Sequence, residues 1–356
     1  MRAVSTLETR SLLLRRYAHM YRRFRATPLN FNERRAGFYA SYWEDAARQL
    51  GACVNRLGDD YLEVARNGSS ARVKDNSVDL DTYFSRGLAD DKVFVTGLVG
   101  ELGFFAPRFR EYTLRSLSSA VGFLEEVGAP CVVKPRVGSG GCGITTAVNT
   151  RRRLIEASLA TSDSLTLPAL MIEQQIAGDS YRLLYLDGSL LHAVKRGRCT
   201  VIGDGLSTIR ELVVRENESR LTDSRLQSLS PLTIDLEMKY TLTDQGKTLR
   251  TIPDRGERVV VKNVCNQNCR RDQEEVTAYV HGDYDQLASA VGTRLGAHLI
   301  GIDVMSEEIS ASPSQSGSAI TEINIPPGLH YHELVEHQHN YSGVGAAVLE
   351  YLLRKA

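Results

Sequence analysis

A short apolar segment that ends in a lysine and runs directly into a glycine-rich loop constrains the fold more than any other feature. Residues 130–135 and 144–148 are rich in valine and threonine, so the sequence predicts two strands joined by a tight turn. The turn contains Gly138, Ser139, Gly140, Gly141 and Gly143. Glycines let backbone N–H groups approach phosphate oxygens closely, and Lys134 adds a positive charge beside them. We expect the phosphates of ATP here; the alternative is an ordinary flexible hairpin with an exposed lysine.

Oxygen-bearing side chains interrupt two apolar strands near the end of the chain. Glu322 and Asn324 are two residues apart and therefore face the same side of a strand. A neighbouring strand over residues 299–305 would bring Asp303 alongside them. Carboxylate and amide oxygens suit Mg²⁺ that also binds nucleotide phosphates. The sequence predicts a magnesium site; the alternative is a set of solvent-facing polar residues at a sheet edge.

A third segment is an apolar strand that ends in polar residues and a glycine turn. Residues 170–173 predict the strand, and Gln174, Gln175 and Ile176 follow it. The backbone at such an exit can offer a donor and an acceptor to the edge of an adenine. The pattern alone is too common to identify a nucleotide site.

The balance of charge argues against nucleic acid or an anionic membrane as a partner. The 356 residues include 43 Lys and Arg and 43 Asp and Glu, so no net field attracts a polyanion. We expect small-molecule partners. The 6 scattered cysteines favour reduced thiols in a cytoplasmic protein. Because no apolar run approaches the roughly 20 residues that span a bilayer, we expect a soluble protein with several modest cores.

Arginine and apolar residues dominate residues 1–30, and acids are scarce. A transit peptide or a membrane-surface helix has this composition. The interpretation that we favour is an amphipathic helix that docks on the body of the protein or on a second subunit, which would suit a homodimer.

Periodicity predicts alternating helices and strands along the rest of the chain. Helices are predicted over residues 42–50, 91–105, 116–127 and 286–298, and from Thr208, where Thr208 and Glu211 form a capping box. Strands are predicted over residues 61–64, 71–73, 181–195 (a hairpin folded at Asp187 and Gly188), 299–305 and 319–325. Residues 218–257 give no clear pattern.

Taken in order, these segments resemble the ATP-grasp superfamily over roughly residues 91–345. The resemblance is carried by Asp91-Lys92 before a helix, residues 102–107, Val133-Lys134-Pro135 with the glycine loop, Ile172-Glu173-Gln174 and Glu322-Ile323-Asn324. Residues 181–184, 201–212 and 245–246 look like the ATP-grasp domain of cyanophycin synthetase. They are also similar to the glutathione-synthetase module of bifunctional glutathione enzymes. In both, an amine attacks an acyl phosphate made from a substrate carboxylate.

The resemblance implies ATP and Mg²⁺ as cofactors and assigns residues to each. Implied nucleotide-binding residues are Lys92, Lys134, Gly138, Ser139, Gly140, Gly141, Gly143, Glu173, Gln174, Gln175, Ile176, Asp179 and Ser180. Among these, the two lysines are expected on the phosphates and residues 173–176 around adenine. Asp303, Glu322 and Asn324 are implied as Mg²⁺ ligands. Arg182, Arg196 and Asn266 fall where the relatives place residues that face the phosphoryl group or substrate, and with Lys134 they form the implied catalytic set.

The sequence departs from the superfamily pattern at several positions. Ser180 stands where relatives have an acid that holds the ribose, so either Asp179 substitutes for it or the sugar is held loosely. Lys262 replaces an arginine, and residues 266–269 lack the expected serine–threonine–glycine–glycine motif. These differences leave the choice of substrate open. The chain stops at Ala356 without a Mur-ligase-like domain or the other glutathione-pathway module, so a polymerising activity is not expected.

The fold that the resemblance implies is an α/β (α+β) ATP-grasp fold, with a small N-terminal α/β lobe and two lobes that clasp ATP. The predicted divisions are an arginine-rich helix over residues 1–30, an N-terminal lobe over 31–90, a central lobe with the glycine loop over 91–176, and a C-terminal lobe with the Mg²⁺-binding strands over 177–356.

The expected function is that of an ATP-dependent carboxylate–amine ligase acting on amino acids or short peptides and releasing ADP and phosphate. The alternatives are a glutathione-synthetase-like enzyme, a non-catalytic nucleotide-binding regulator and a kinase. The presence of Asp303, Glu322 and Asn324 argues against the regulator. Replacement of Asp303 or Glu322 by alanine is expected to abolish turnover and leave the fold intact.

Two further features leave alternatives open. His330, His332, His337 and His339 alternate after the last strand, which permits a zinc site, although substrate contacts or solvated loop histidines are more usual. Arg136, beside the glycine loop, either anchors a substrate carboxylate or pairs with a surface acid.

Overall fold

The computed structural model describes residues 31–58, 61–138, 141–162, 169–265, 273–335 and 343–355. Several predictions fall outside these residues: the amphipathic helix within residues 1–30 and the sites at Ser139, Gly140, Asn266, His337 and His339.

Helices and strands alternate through the described residues. The helices are α1 (Phe31–Gln49), α2 (Tyr83–Asp90), α3 (Lys92–Glu101), α4 (Leu117–Val127), α5 (Arg151–Thr161), α6 (Ile209–Thr222), α7 (Leu236–Asp244), α8 (Asp283–Leu295), α9 (Pro313–Ser316) and α10 (Val344–Lys355). The strands are β1 (Cys53–Arg56), β2 (Leu62–Arg66), β3 (Ser69–Lys74), β4 (Ser77–Val78), β5 (Phe109–Tyr112), β6 (Cys131–Pro135), β7 (Thr145–Val148), β8 (Leu170–Gln174), β9 (Asp179–Leu186), β10 (Ser189–Arg196), β11 (Cys199–Ile202), β12 (Arg258–Lys262), β13 (Gln273–Glu275), β14 (Leu299–Ser306) and β15 (Ala319–Asn324).

The N-terminal lobe combines an antiparallel sheet, in the order β1-β2-β3-β4, with helices from both ends of the described chain. Asn67 and Gly68 form the turn between β2 and β3 and adopt the positive φ angles of 54° and 88° that such a turn requires. Helices α1 and α10 pack together and against this sheet, where Tyr39, Trp43 and Val348 are buried. The last helix of the chain therefore completes the core of the first lobe.

A second antiparallel sheet, in the order β5-β8-β6-β7, carries the glycine loop between β6 and β7. Helices α4 and α5 cover it and bury Phe123, Val133 and Leu154. Helix α4 ends as predicted, since Gly128 adopts a left-handed φ of 63° at its C-terminus. This packing fixes the direction in which β6 delivers Lys134.

The largest sheet is antiparallel with the order β13-β10-β9-β14-β15. The predicted hairpin at Asp187 and Gly188 joins β9 to β10. Helices α2, α3 and α8 pack against this sheet, around a core that includes Leu183, Val291 and Ile302. The sheet supplies one wall of the site.

A two-stranded sheet of β11 and β12 packs against α6 and α7. The predicted capping box starts α6: the Thr208 hydroxyl accepts from the Glu211 N–H, and the Glu211 carboxylate accepts from the Thr208 N–H. Residues 218–257, which gave no clear sequence pattern, contain the end of α6, all of α7 and the turn before β12. Leu232, Met238 and Leu242 pack in this small core, whereas Leu226 and Leu229 pack with Leu334.

Within the described residues, every helix is too short or too polar to cross a bilayer.

Gly203 lies at a close approach of two backbone segments and generates a prediction about stability. Its N–H donates to the Glu257 carbonyl, and a Cβ added at Gly203 would lie 2.1 Å from the Asp254 carbonyl oxygen. We expect Gly203→Ala to lower the free energy of unfolding by about 2–3 kcal/mol, because backbone atoms have to move. The matched control is Gly97→Ala in the exposed interior of α3, where a Cβ meets nothing within 4 Å. That change should raise stability by up to about 1 kcal/mol. Urea denaturation measures the free energy of unfolding of both variants, and equal values would contradict the prediction.

Candidate active site

A cavity of about 1180 Å³ is lined by residues of the glycine-loop sheet and of the largest sheet. Of the predicted site residues that are described, these line it: Lys92, Lys134, Gly138, Gly141, Glu173, Gln174, Gln175, Ile176, Asp179, Ser180, Arg182, Arg196, Asp303, Glu322 and Asn324. Gly143 is the exception among the described residues, because it packs against Thr161 on α5, whose hydroxyl donates to the Gly143 carbonyl. Residues far apart in the chain thus face one space.

Lys134 and Glu173 form a buried ion pair on one wall of the cavity. In the register of β6 with β8, Val132 lies opposite Glu173, so Lys134 and Glu173 share a face of the sheet. Lys134 Nζ lies 2.7 Å from Glu173 Oε2, and both side chains are almost fully buried. A buried ammonium requires such a partner, because an unpaired charge in the interior is costly.

Lys92 connects the glycine loop to the last strand of the opposite wall. Asp91 caps α3 by accepting from the N–H groups of Val93 and Phe94, which fixes the helix start at Lys92. The Lys92 ammonium donates to the Gly138 carbonyl and lies 3.1 Å from Glu322 Oε1. The two walls are therefore joined through one cation.

The exit of β8 leaves few backbone donors for a nucleotide base. The Gln174 N–H donates to the Arg108 carbonyl at 2.8 Å, and the Gln175 N–H donates to the Pro130 carbonyl at 3.0 Å. The Ile176 N–H, in contrast, has no acceptor among the described residues. Only Ile176 of these three can give its backbone N–H to an adenine without loss of an internal bond.

Asp179 and Ser180, the two candidates for the ribose, are already engaged. Asp179 Oδ2 lies 2.7 Å from Lys195 Nζ, and the Asp179 side chain is half exposed. The Ser180 hydroxyl accepts two hydrogen bonds from Arg196, from Nη2 at 2.7 Å and from Nε at 3.2 Å. Ser180 therefore orients Arg196.

Asp303 is the counter-ion of two buried arginines. Strand pairing sets Arg182 on β9 and Glu322 on β15 directly beside Asp303 on β14. Arg182 donates to both Asp303 oxygens, and Arg196 Nη2 lies 3.1 Å from Oδ2. Burial acts to raise the pKa of Asp303, but the charges of Arg182 and Arg196 outweigh burial and lower the pKa below its ordinary value. Asp303 is accordingly ionised at neutral pH.

The predicted Mg²⁺ ligands lie in adjacent strands and share a face, as their spacing indicated. Asp303 is engaged by guanidinium groups and Glu322 by Lys92, and the buried Asn324 amide nitrogen has no hydrogen-bond partner in the described part of the chain. Among the described residues, no cluster of three or more His, Cys, Asp or Glu is arranged to hold a metal ion. The donor set fits Mg²⁺ that takes much of its coordination from phosphate oxygens. It does not form a self-contained protein cage.

The structure decides the alternatives for Arg136. Its guanidinium donates to both oxygens of Asp91 and, at 2.8 Å, to Glu111. Hydrogen bonds from Arg136 hold the pKa of Asp91 below its usual range. Arg136 pairs with surface acids and joins the cap of α3 to the end of β6. Lys262, which replaces an arginine of the superfamily pattern, forms an ion pair with Asp235 and does not line the cavity.

His330 and His332 are buried beneath the cavity in a short 3₁₀ helix, Leu329–His332. His330 Nδ1 bonds with the Tyr39 hydroxyl at 2.7 Å, and His332 Nδ1 lies 3.0 Å from His192 Nδ1. Burial lowers the pKa of both His330 and His332 well below the usual value, so both rings are neutral. Their contacts are with the protein interior.

Sequence reasoning missed the residues at one end of the cavity. Tyr331 places its ring under the guanidinium groups of Arg182 and Arg196, at 5.2 and 5.9 Å from centroid to Cζ. Arg35 and Asn76 of the N-terminal lobe also line the cavity. These residues carry no local motif, and only the tertiary fold brings them to the site.

Comparisons with known proteins agree with this architecture. No protein-family model matches the chain. The chain is 27% identical over 309 residues to the glutathione biosynthesis bifunctional protein of Streptococcus mutans, a match that covers 83% of this chain and 38% of the relative. It is 28% identical over 247 residues to cyanophycin synthetase of Crocosphaera subtropica, covering 69% of this chain and 28% of the relative. The chain thus spans less than half the length of these relatives, and the predicted resemblance to both is confirmed.

A solved structure shares the fold. The crystal structure of a bifunctional glutathione synthetase from Pasteurella multocida matches 87% of this chain and 43% of its own, with a TM-score of 0.54 and 23% sequence identity. The predicted α/β ATP-grasp fold is confirmed.

The two predicted metal-binding carboxylates should differ sharply in their effect on stability. Asp303→Ala removes the counter-ion of two buried arginines, so we expect a loss of about 3–5 kcal/mol in unfolding free energy. Glu322→Ala removes the carboxylate partner of the buried Lys92 ammonium, which keeps its hydrogen bond to the Gly138 carbonyl, so we expect a smaller loss of about 1–2 kcal/mol. The expectation from sequence that both changes leave the fold intact is revised for Asp303. Urea denaturation of the ligand-free variants measures both, and a stable Asp303→Ala protein would refute the assignment.

Proposed function

We propose that the protein is an ATP-dependent carboxylate–amine ligase that forms an amide or peptide bond through an acyl phosphate. The proposed substrates are ATP with Mg²⁺ and small amino acid or peptide partners, and the products include ADP and phosphate. The observation that carries the proposal is the convergence of Lys134, Arg196, Asp303 and Glu322 on one cavity from three strands of one sheet and one of another.

The charges in the cavity suit a triphosphate. Lys92, Lys134, Arg182 and Arg196 are positive, and each contacts a carboxylate of the protein. Those contacts keep the cations in place before a ligand arrives. Phosphate oxygens can replace the carboxylates as partners of Lys92 and Lys134. Mg²⁺, bound through Glu322, Asn324 and phosphate oxygens with Asp303 beside them, would neutralise further negative charge on the phosphates.

In the proposed first step, a substrate carboxylate oxygen attacks the γ-phosphorus of ATP, and the bond from that phosphorus to the β,γ-bridging oxygen breaks. Lys134 and Arg196 stabilise the charge on the phosphoryl oxygens by fixed hydrogen bonds. Ser180 holds the Arg196 side chain in position through two hydrogen bonds, so little reorganisation is needed. ADP and an acyl phosphate result.

In the second step, the nitrogen of a neutral amine attacks the acyl carbon, phosphate leaves with the electrons of the carbon–oxygen bond, and the nitrogen loses one proton to solvent. The Arg182 and Arg196 guanidinium groups lie beside each other on Asp303, where they can stabilise the departing phosphate. Tyr331 fixes both guanidinium planes from below. Asn266 stays a proposed substrate contact.

The nucleotide contacts follow from which groups are free to make them. We assign the adenine donor to the Ile176 N–H, within the proposed adenine-binding segment 173–176. Ser180 is committed to Arg196, so the ribose contact falls to Asp179, which reaches the cavity and can exchange its bond with Lys195. The described glycines Gly138 and Gly141 provide the close approach of backbone to phosphate.

The proposed ligase activity predicts a specific product. The full chain is incubated with ATP, Mg²⁺ and pooled amino acids and dipeptides; ADP release is followed by enzyme coupling and new compounds by mass spectrometry. We expect a product with the mass of one acid plus one amine minus water. Glu322→Ala should lower turnover at least about a hundredfold, because the Mg²⁺–phosphate contact is lost. The matched control, Glu101→Ala, removes an exposed carboxylate that pairs with Arg294 and should leave turnover unchanged.

The other possible results identify the rival functions. Release of ADP with a phosphorylated acid, but no amide, would show a kinase. Tight binding of ATP without ADP release in any pool would show a nucleotide-binding regulator. Either result would refute the ligase.

A further inference from the structure

One end of the cavity is built by the N-terminal lobe. Arg35 projects from α1, Asp75 and Asn76 form the turn between β3 and β4, and all three line the same cavity as Lys134 and Glu322. These residues precede the segments that match the nucleotide site. The lobe therefore contributes directly to the space where a substrate would lie.

Arg35 differs from the four cations predicted for the nucleotide and phosphoryl site, although Arg86 and Arg198 also line the cavity. Lys92, Lys134, Arg182 and Arg196 each contact a carboxylate. Arg35 Nη2 instead donates to the Asn76 amide oxygen at 3.3 Å, and no carboxylate of the described residues lies within ion-pair distance of it. Its guanidinium also lies 5.7 Å from the centroid of the Tyr39 ring. A half-buried guanidinium thus faces the cavity without a negative partner from the described chain.

The position of Arg35 is fixed by the residues around it. The Asn76 amide nitrogen donates to the carbonyls of Pro326 and Pro327, at 3.1 Å in each case. Trp43 Nε1 donates to the Asp75 carbonyl at 2.8 Å and anchors the same turn. Since both amide hydrogens of Asn76 are used, its oxygen is directed at Arg35. A preorganised guanidinium loses less entropy when it binds a ligand.

Three aromatic rings in contact, the first pair edge to face, connect Arg35 with the arginines of the largest sheet. Tyr39, beneath Arg35, bonds with His330; the His330 and Tyr331 rings lie 4.3 Å apart; and Tyr331 contacts Arg182. Burial lowers the pKa of His330 well below its usual value, and the nearby charges of Arg35 and Arg182 act in the same direction. The neutral histidine supplies no counter-charge. Arg35 and Arg182 therefore belong to one wall of the cavity.

We propose that Arg35, oriented by Asn76, binds a free carboxylate on the substrate that supplies the amine, so that the site selects α-amino acids or peptides over simple amines. The inference rests on the proposed ligase function. A guanidinium binds a carboxylate through two parallel N–H···O bonds. The acid that becomes activated has to meet the phosphoryl group at Lys134 and Arg196, so the carboxylate on Arg35 is a different one.

The test uses matched pairs of amine substrates: the amino acids and dipeptides of the reactive pool, and the same compounds with the terminal carboxylate converted to an amide. For the wild type, we expect the amide to remain a substrate with a KM at least about tenfold higher, as expected for loss of a charged hydrogen bond. Arg35→Gln should raise the KM of the free acid by the same factor and leave the KM of the amide and of ATP unchanged. In Arg35→Gln, the KM values of the free acid and of the amide should then be equal.

The control variants separate this effect from misfolding. Arg72→Ala removes an exposed arginine of the same lobe that lies outside the cavity, and the wild-type discrimination should persist. Arg35→Lys retains the positive charge but lacks the planar guanidinium that binds a carboxylate through two hydrogen bonds. Its discrimination between acid and amide should therefore lie between those of the wild type and Arg35→Gln. Urea denaturation shows whether Arg35→Gln is folded. Undiminished discrimination in folded Arg35→Gln would overturn the proposal, as would a wild type that handles acid and amide alike.

A binding measurement separates the failure of this inference from the failure of the ligase proposal. Ligand-observed NMR with the full chain and ADP compares the same acid and amide probes without any turnover. Preferential binding of the acids that is lost in Arg35→Gln supports the carboxylate site even if no amide product forms in any pool. Failure of the wild type to bind any free-acid probe, or equal binding of both forms, overturns it.

Discussion

Two buried guanidinium groups share one carboxylate, and the arrangement of the cavity depends on that contact. Arg182 and Asp303 are neighbours in the register of β9 with β14, so backbone pairing delivers the ion pair in the correct geometry. Arg196 contributes from β10. It lies opposite Ser180, two residues before Arg182 on β9, and donates hydrogen bonds to the Ser180 hydroxyl. Transfer of three charged groups from water is costly unless each one is paired. The sheet register satisfies that requirement and directs two cations at the same space.

The walls of the cavity are held together by residues at the ends of secondary-structure elements. Lys92, the first residue of α3, contacts both the glycine loop at Gly138 and Glu322 on β15. Arg136 binds the Asp91 cap of the same helix, so the start of α3 is tied to β6 as well. Helix starts and strand ends are defined by caps and register, which makes these contacts reproducible without a large interface.

Local patterns in the sequence were sufficient for the hairpins, the capping box and the placement of Asp303 beside Glu322, because each depends on spacing along one or two strands. These local patterns could not predict long-range packing. Helix α10 carries its apolar stripe to the N-terminal sheet, and nothing in its own residues identifies that partner. Arg35 likewise has no motif, and its proximity to the site depends on Asn76 and two proline carbonyls hundreds of residues away. The structural importance of Asp303 was underestimated for the same reason, since its arginine partners lie on other strands.

Four cavity cations, Lys92, Lys134, Arg182 and Arg196, contact carboxylates, and this constrains how the proposed triphosphate could be accommodated. Glu322 is held by Lys92, and Asp303 by two arginines, so both predicted metal-binding carboxylates have cationic partners in the absence of Mg²⁺. Addition of ATP without the metal would place phosphate oxygens beside carboxylates that have just lost their partners, which is unfavourable. Mg²⁺ bound together with the nucleotide would pair with these carboxylates and leave Lys92 and Lys134 to the phosphates, so the proposed site would accommodate the metal–nucleotide complex better than the nucleotide alone.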